Sequence, residues 1–123
     1  MSDVKRLLIV DDEEILTFTL CQTFIKAPIT CEVQSAASAT EALEKCQKAP
    51  FDLIITDIAM PGMSGLELLE IVRRRWPHTR VVVMTAYGSP ERRQEAMDKG
   101  ASAYVEKPFE LSELKSTVLN LIG

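Results

Sequence analysis

The chain has 123 residues, 46% of them apolar, which suits one domain with a buried core. Its formal charge of −4 gives no general attraction to nucleic acid, and Arg73-Arg74-Arg75 is too short a basic run to change that; it reads as a solvated helix face. No apolar run approaches the roughly 20 residues that span a bilayer. Met1 to Arg6 carry no signal-peptide pattern. Cys21, Cys31 and Cys46 are odd in number and lack C-x-x-C spacing, so they are expected as buried free thiols of a soluble, cytoplasmic protein rather than a disulfide framework or zinc site.

In chain order, Leu7 to Val10 is the first strand-like run, and it stops at Asp11 and Asp12. Ser38-Ala39-Thr40-Glu41 has the S-x-x-E spacing that satisfies orphan N–H groups at a helix start. Leu53 to Thr56 is a second run of the same kind and stops at Asp57, followed by the turn-forming Pro61-Gly62. Ser64-Gly65-Leu66-Glu67 repeats the S-x-x-E spacing. The helix it opens shows Leu66, Leu69, Val72 and Trp76 on one face, pairs Glu70 with Arg74 at i,i+4, and closes at Trp76-Pro77.

Val81 to Met84 is a strand ending at Thr85. From Ser89 to Lys99 a helix is marked by Pro90 at its first position and by Gly100 after its end, yet only Ala96 and Met97 are apolar, so it is expected to dock weakly. Ala103 to Val105 leads to Lys107, and Leu111, Leu114, Val118 and Leu121 or Ile122 anchor a last helix ahead of Gly123. The strand runs are continuously apolar, as parallel strands covered on both faces are. The expected fold is therefore α/β, a doubly wound (βα)5 unit with helices on both faces of a five-stranded parallel sheet, forming one domain over residues 1–123.

Ligands of such sheets bind beyond the carboxyl ends of the strands. Asp11, Asp12, Asp57, Thr85 and Lys107 all fall at that edge. Three carboxylates in one cleft repel unless a cation or proton neutralises them, and magnesium suits an oxygen-lined site facing phosphate. Asp57, at a strand tip, can act as a carboxylate nucleophile and form an acyl phosphate. Lys107 can neutralise an introduced phosphoryl group.

Leu8-Ile9-Val10-Asp11-Asp12-Glu13, Thr56-Asp57 through Ser64-Gly65, Met84-Thr85-Ala86 and Lys107-Pro108-Phe109 together resemble a bacterial two-component response-regulator receiver domain, over essentially the whole chain. The resemblance implies the flavodoxin-like strand order 2-1-3-4-5. It implies Asp57 as phosphoacceptor from a sensor kinase's phosphohistidine, with Asp12, Asp57 and the Ala59 carbonyl ligating Mg2+ and Asp11 acting through a metal-bound water. Thr85 and Lys107 would hold the phosphoryl oxygens, helped by the N–H groups of Ala59 and Ala86. Lys107-Pro108 would be a cis peptide, and Tyr104 the switch aromatic that turns inward when Thr85 moves. The signal would leave through the surface of helix four, strand five and helix five.

The implied partners are a sensor histidine kinase or phosphotransfer protein, an output domain or protein partner, and a phosphorylation-dependent homodimer. Direct nucleic-acid or membrane binding is not implied. Ala59 and Tyr87 stand where the family tunes the lifetime of the phosphoryl group, and neither brings an acid or amide to orient water. Slow self-dephosphorylation, with partial shielding by Tyr87, is expected. An aspartyl-phosphate phosphohydrolase would need a second carboxylate where Ala59 stands. A phosphorylation-independent binding module would usually have lost a site residue, and none is lost. Two accounts of the output stay open, a complete single-domain regulator and an excised receiver. Met84 to Ser89 resembles receivers attached to AAA+ transcriptional activators, and excision is the expectation because the chain stops right at its last helix.

Overall fold

A computed structural model describes residues 4–28 and 30–122. The readings that touch Met1 to Asp3 and Gly123 lie outside the described residues. Strands and helices alternate throughout: β1 (Lys5–Val10), α1 (Glu14–Ile25), β2 (Cys31–Ala36), α2 (Ala39–Lys48), β3 (Leu53–Asp57), α3 (Gly65–Arg75), β4 (Arg80–Thr85), α4 (Pro90–Asp98), β5 (Ala103–Glu106) and α5 (Leu111–Ile122). The five strands form one parallel sheet in the order β2-β1-β3-β4-β5, so the expected topology is the observed one.

The runs of β1, β3 and β4 are continuously apolar because alternate side chains enter two different cores. Leu7, Ile9, Leu53, Ile55, Val82 and Met84 pack under α1 and α5, against Leu20, Phe24, Leu114, Val118 and Ile122. Leu8, Val10, Ile54, Val81 and Val83 face the opposite way, toward α2, α3 and α4. The central strands β1, β3 and β4 are thus buried on both sides over most of their length, and period-2 alternation disappears from their sequence, whereas the edge strands β2 and β5 stay partly exposed.

Helix starts follow the local chemistry. Ser38 Oγ accepts from Glu41 N at 3.1 Å, and Glu41 Oε1 in return accepts from Ala37 N at 3.1 Å. At α3 and α4 the serine half of this cap recurs, Ser64 Oγ accepting from Glu67 N at 3.2 Å and Ser89 Oγ from Arg92 N at 3.1 Å, with Pro90 in the first turn of α4. Gly100 follows α4 with φ +100°, and α4 buries Ala96 alone, as its sparse apolar content foretold.

Four local expectations are corrected. Glu70 pairs with Lys99 of the α3–α4 neighbourhood rather than with Arg74, because the ammonium arriving from the end of α4 reaches it directly. Arg73 is half-buried rather than solvated: its guanidinium donates to the carbonyls of Pro77 at 2.8 Å and Thr79 at 3.0 Å, folding over the end of α3. Leu111 is exposed at the start of α5, where Ile122 rather than Leu121 completes the fully buried stripe. Cys46 is buried, but Cys21 and Cys31 are half-buried; all three are free.

Candidate functional site

Parallel strands deliver their carboxyl ends to one edge, and the register sets how far each reaches. Val10 pairs with Thr56, so Asp11 and Asp57 emerge side by side one residue later. Thr85 pairs with Glu106, and Lys107 N donates to the Thr85 carbonyl at 2.8 Å, which places the lysine immediately beyond β5. The Lys107-Pro108 bond is cis.

The carboxylates of Asp11, Asp12 and Asp57 each offer an oxygen within 4.8 Å of the others. Asp11 and Asp57 are buried and Asp12 is exposed at the mouth. Two short local bonds orient the buried pair: Asp11 Oδ1 accepts from Glu13 N at 2.9 Å, and Asp57 Oδ1 accepts from Ala59 N at 3.1 Å. Lys107 Nζ donates to Asp57 Oδ2 at 2.9 Å, Glu13 Oε1 at 3.1 Å and Asp11 Oδ2 at 3.2 Å. Three carboxylates therefore share one ammonium.

Burial pushes the Asp11 carboxyl above its usual range, although the Glu13 N–H and the Lys107 ammonium oppose this. Burial also works against the charged form of Lys107. There the bonds to Asp57, Glu13 and Asp11 outweigh it and hold the amine protonated beyond the ordinary lysine range. The excess of carboxylate oxygens suits a hard divalent cation: it is a donor set of the kind magnesium takes, with Asp12 open to solvent for retained waters.

Thr85 is buried at the end of β4, and its Oγ1 accepts from Tyr87 N at 3.0 Å, leaving its own proton free to donate. Ala59 and Ala86 are exposed on the loops that follow β3 and β4. Tyr104 is buried. Among the described residues its hydroxyl has no hydrogen-bond partner, and a Cβ on Gly88 would lie 2.6 Å from it. The Tyr87 ring is 73% exposed, so it stands out in solvent instead of shielding the pocket.

A sequence model of the response regulator receiver domain matches residues 7–119. The chain belongs to that family. The receiver is 40% identical over 113 residues to the response regulator protein FleR of Pseudomonas aeruginosa, a match covering 92% of this chain and 24% of FleR. It is 33% identical over 114 residues to sporulation initiation phosphotransferase F of Bacillus subtilis, covering 93% of this chain and 90% of that protein. Among solved structures, a CheY-like receiver domain protein from Methanospirillum hungatei superposes with a TM-score of 0.88 at 31% identity, covering 97% of this chain and 94% of that one. The receiver thus spans about a quarter of the length of FleR and of PilR from the same organism, and most of phosphotransferase F.

Two residues that shape this receiver's pocket were not assigned from sequence. In sequence Glu13 stands only as the end of Asp11-Asp12-Glu13, where an acid ahead of a helix reads as a favourable charge near its N-terminus. Its bond to Lys107 joins residues 94 apart and has no local signal. Gly65 read as a spacer within S-x-x-E. In the structure a Cβ there would lie 1.9 Å from the Asp57 carbonyl oxygen, so only glycine lets α3 start this close beneath the strand end. The Gly65 N–H donates to the Ile58 carbonyl at 2.9 Å, tying the helix start to the loop.

Proposed function

We propose that this chain, as a single receiver domain, is a phosphoacceptor switch of a two-component system, with Asp57 as acceptor. The observation that carries the reading is the Asp57 carboxylate, buried at a strand tip, bonded to Lys107 and close to two further carboxylates. One Asp57 oxygen attacks phosphorus in line with the leaving group. When the donor is a phosphohistidine, the phosphorus–nitrogen bond breaks and the imidazole keeps the electron pair. Little covalent work falls to the protein, so positioning and charge stabilisation dominate.

Asp11, Asp12, Asp57 and the Ala59 carbonyl are the groups that would hold magnesium. Bound there, the ion would offset the carboxylate repulsion and the charge of the phosphoryl oxygens. Lys107 supplies a fixed cation beside Asp57, the Thr85 hydroxyl a donor from the neighbouring strand, and the N–H groups of Ala59 and Ala86 further donors. Tyr104 follows Thr85, since β4 and β5 are paired and the tyrosine lies under α4. The surface of α4, β5 and α5 then carries the change to an output domain, a protein partner or a second copy.

The phosphodonor is a sensor histidine kinase or phosphotransfer protein. A groove of about 480 Å3 beside the pocket mouth, lined by Glu13, Ile15, Leu16, Phe109 and Leu111 among others, supports a protein donor, as do Ile15 and Phe18, exposed at 85% and 66%. The free thiols fit a reducing cytoplasm, and no helix among the described residues is long and apolar enough to cross a membrane. The test is a chemical-shift titration with magnesium and beryllofluoride. Wild type is expected to shift at Thr85, Tyr104 and α4, and Asp57→Asn to show no response to beryllofluoride; an unchanged spectrum of the wild type would sink the reading.

A further inference from the structure

Glu13 stands apart from the carboxylates that could share a cation. Asp11 and Asp57 are each buried and tied to a backbone N–H two residues on. The Glu13 side chain is 64% exposed, and among the described residues its carboxylate meets only Lys107. The bond links the β1–α1 turn to the β5–α5 loop at the edge of the groove that both residues line.

An ammonium has three N–H groups. In this structure all are committed: to Asp57, to Asp11 and to Glu13. A phosphoryl group on Asp57 brings new oxygens that need a donor from the same ammonium, so one existing bond has to be given up. The bond to Glu13 is the one to lose. It is the most exposed, and its charge also repels an arriving phosphate dianion.

We propose that Glu13 is a positioning residue, holding Lys107 across the pocket mouth and yielding it to the phosphoryl oxygens when Asp57 is phosphorylated. The inference rests on Asp57 being the acceptor. With acetyl phosphate as donor, the Asp57 oxygen–phosphorus bond forms as the phosphorus–oxygen bond to acetate breaks. Acetate departs with the electron pair, and Lys107 exchanges one N–H bond from Glu13 to a phosphoryl oxygen while keeping its proton. Glu13 therefore acts as a brake on phosphorylation.

The test is the rate of phosphoprotein formation from acetyl phosphate at saturating magnesium, followed by intact mass for wild type, Glu13→Gln, Lys107→Ala and the double variant. Glu13→Gln is expected to be faster by roughly two- to fivefold, the range of one partly exposed ion pair, and this gain should vanish in the Lys107→Ala background. Nitrogen relaxation of the unphosphorylated protein should show a more mobile Lys107 ammonium in Glu13→Gln. An equal gain with and without Lys107 would overturn the proposal, as would an unchanged ammonium. If wild type is labelled, Asp57→Asn is not, and Glu13→Gln matches wild type, the positioning role fails while the acceptor reading stands. If wild type itself takes up no phosphoryl group, both fail.

Discussion

Burial disfavours the charged form of Asp11 and raises its pKa, and that makes the carboxylate a local cost of the site. Its raised carboxyl pKa means that the unfolded chain gives up this proton at lower pH than the folded chain does, so stability is lost as pH rises through that window. Asp11→Asn keeps an acceptor for the Glu13 N–H and removes the charge. It is expected to raise stability at neutral pH by on the order of 1 kcal/mol, measured by chemical denaturation. Gly65→Ala should act the other way. Its methyl group would meet the Asp57 carbonyl at 1.9 Å, and backbone on both sides must move. A loss of about 3 kcal/mol, the upper range for forced overpacking, should appear in the same denaturation series. Asp57 and Lys107 were legible because a polar residue closing an apolar run needs only local sequence to be noticed. Glu13 and Gly65 were not, since their roles depend on contacts that exist only once β5 and α3 are in place.

At the scale of elements, α4 is the thinly held piece. It buries Ala96, leaves Met97 half in solvent, and is tied to α3 through Lys99 and Glu70. Lys99 holds the Glu70 carboxyl below its usual value of 4.5, so this tether is fully present above that pH and fades as pH falls through the lowered value. Amide exchange should give α4 the lowest protection factors of the five helices, falling further when the pH is taken below 4.5. Uniform protection across the helices would contradict this. The weak docking was legible from the scarcity of apolar residues between Pro90 and Lys99, and the caps from serine spacing. The Glu70–Lys99 pair was hidden, because i,i+4 spacing reports neighbours on one helix and says nothing of the helix beside it.

For the whole molecule, the topology follows from central strands that are apolar on both sides, and the site from all five running the same way. Sequence therefore carried the architecture and the pocket's location well, but not the packing of Tyr104, whose buried hydroxyl depends on the space Gly88 leaves open. On the proposed reading, the lifetime of the phosphorylated form would be set at this pocket. Neither Ala59 nor Tyr87 offers an acid or amide to orient water, so the acyl phosphate should outlast seconds after the donor is removed, as read by its decay in mass spectra. Faster loss would show that water is positioned by another group.

The measurement that bears most directly on the account is intact mass after incubation with magnesium and acetyl phosphate. One added phosphoryl group on the wild type, absent in Asp57→Asn and absent when magnesium is chelated, is the expected result. A wild-type mass that does not change, or an adduct that survives in Asp57→Asn, would contradict it.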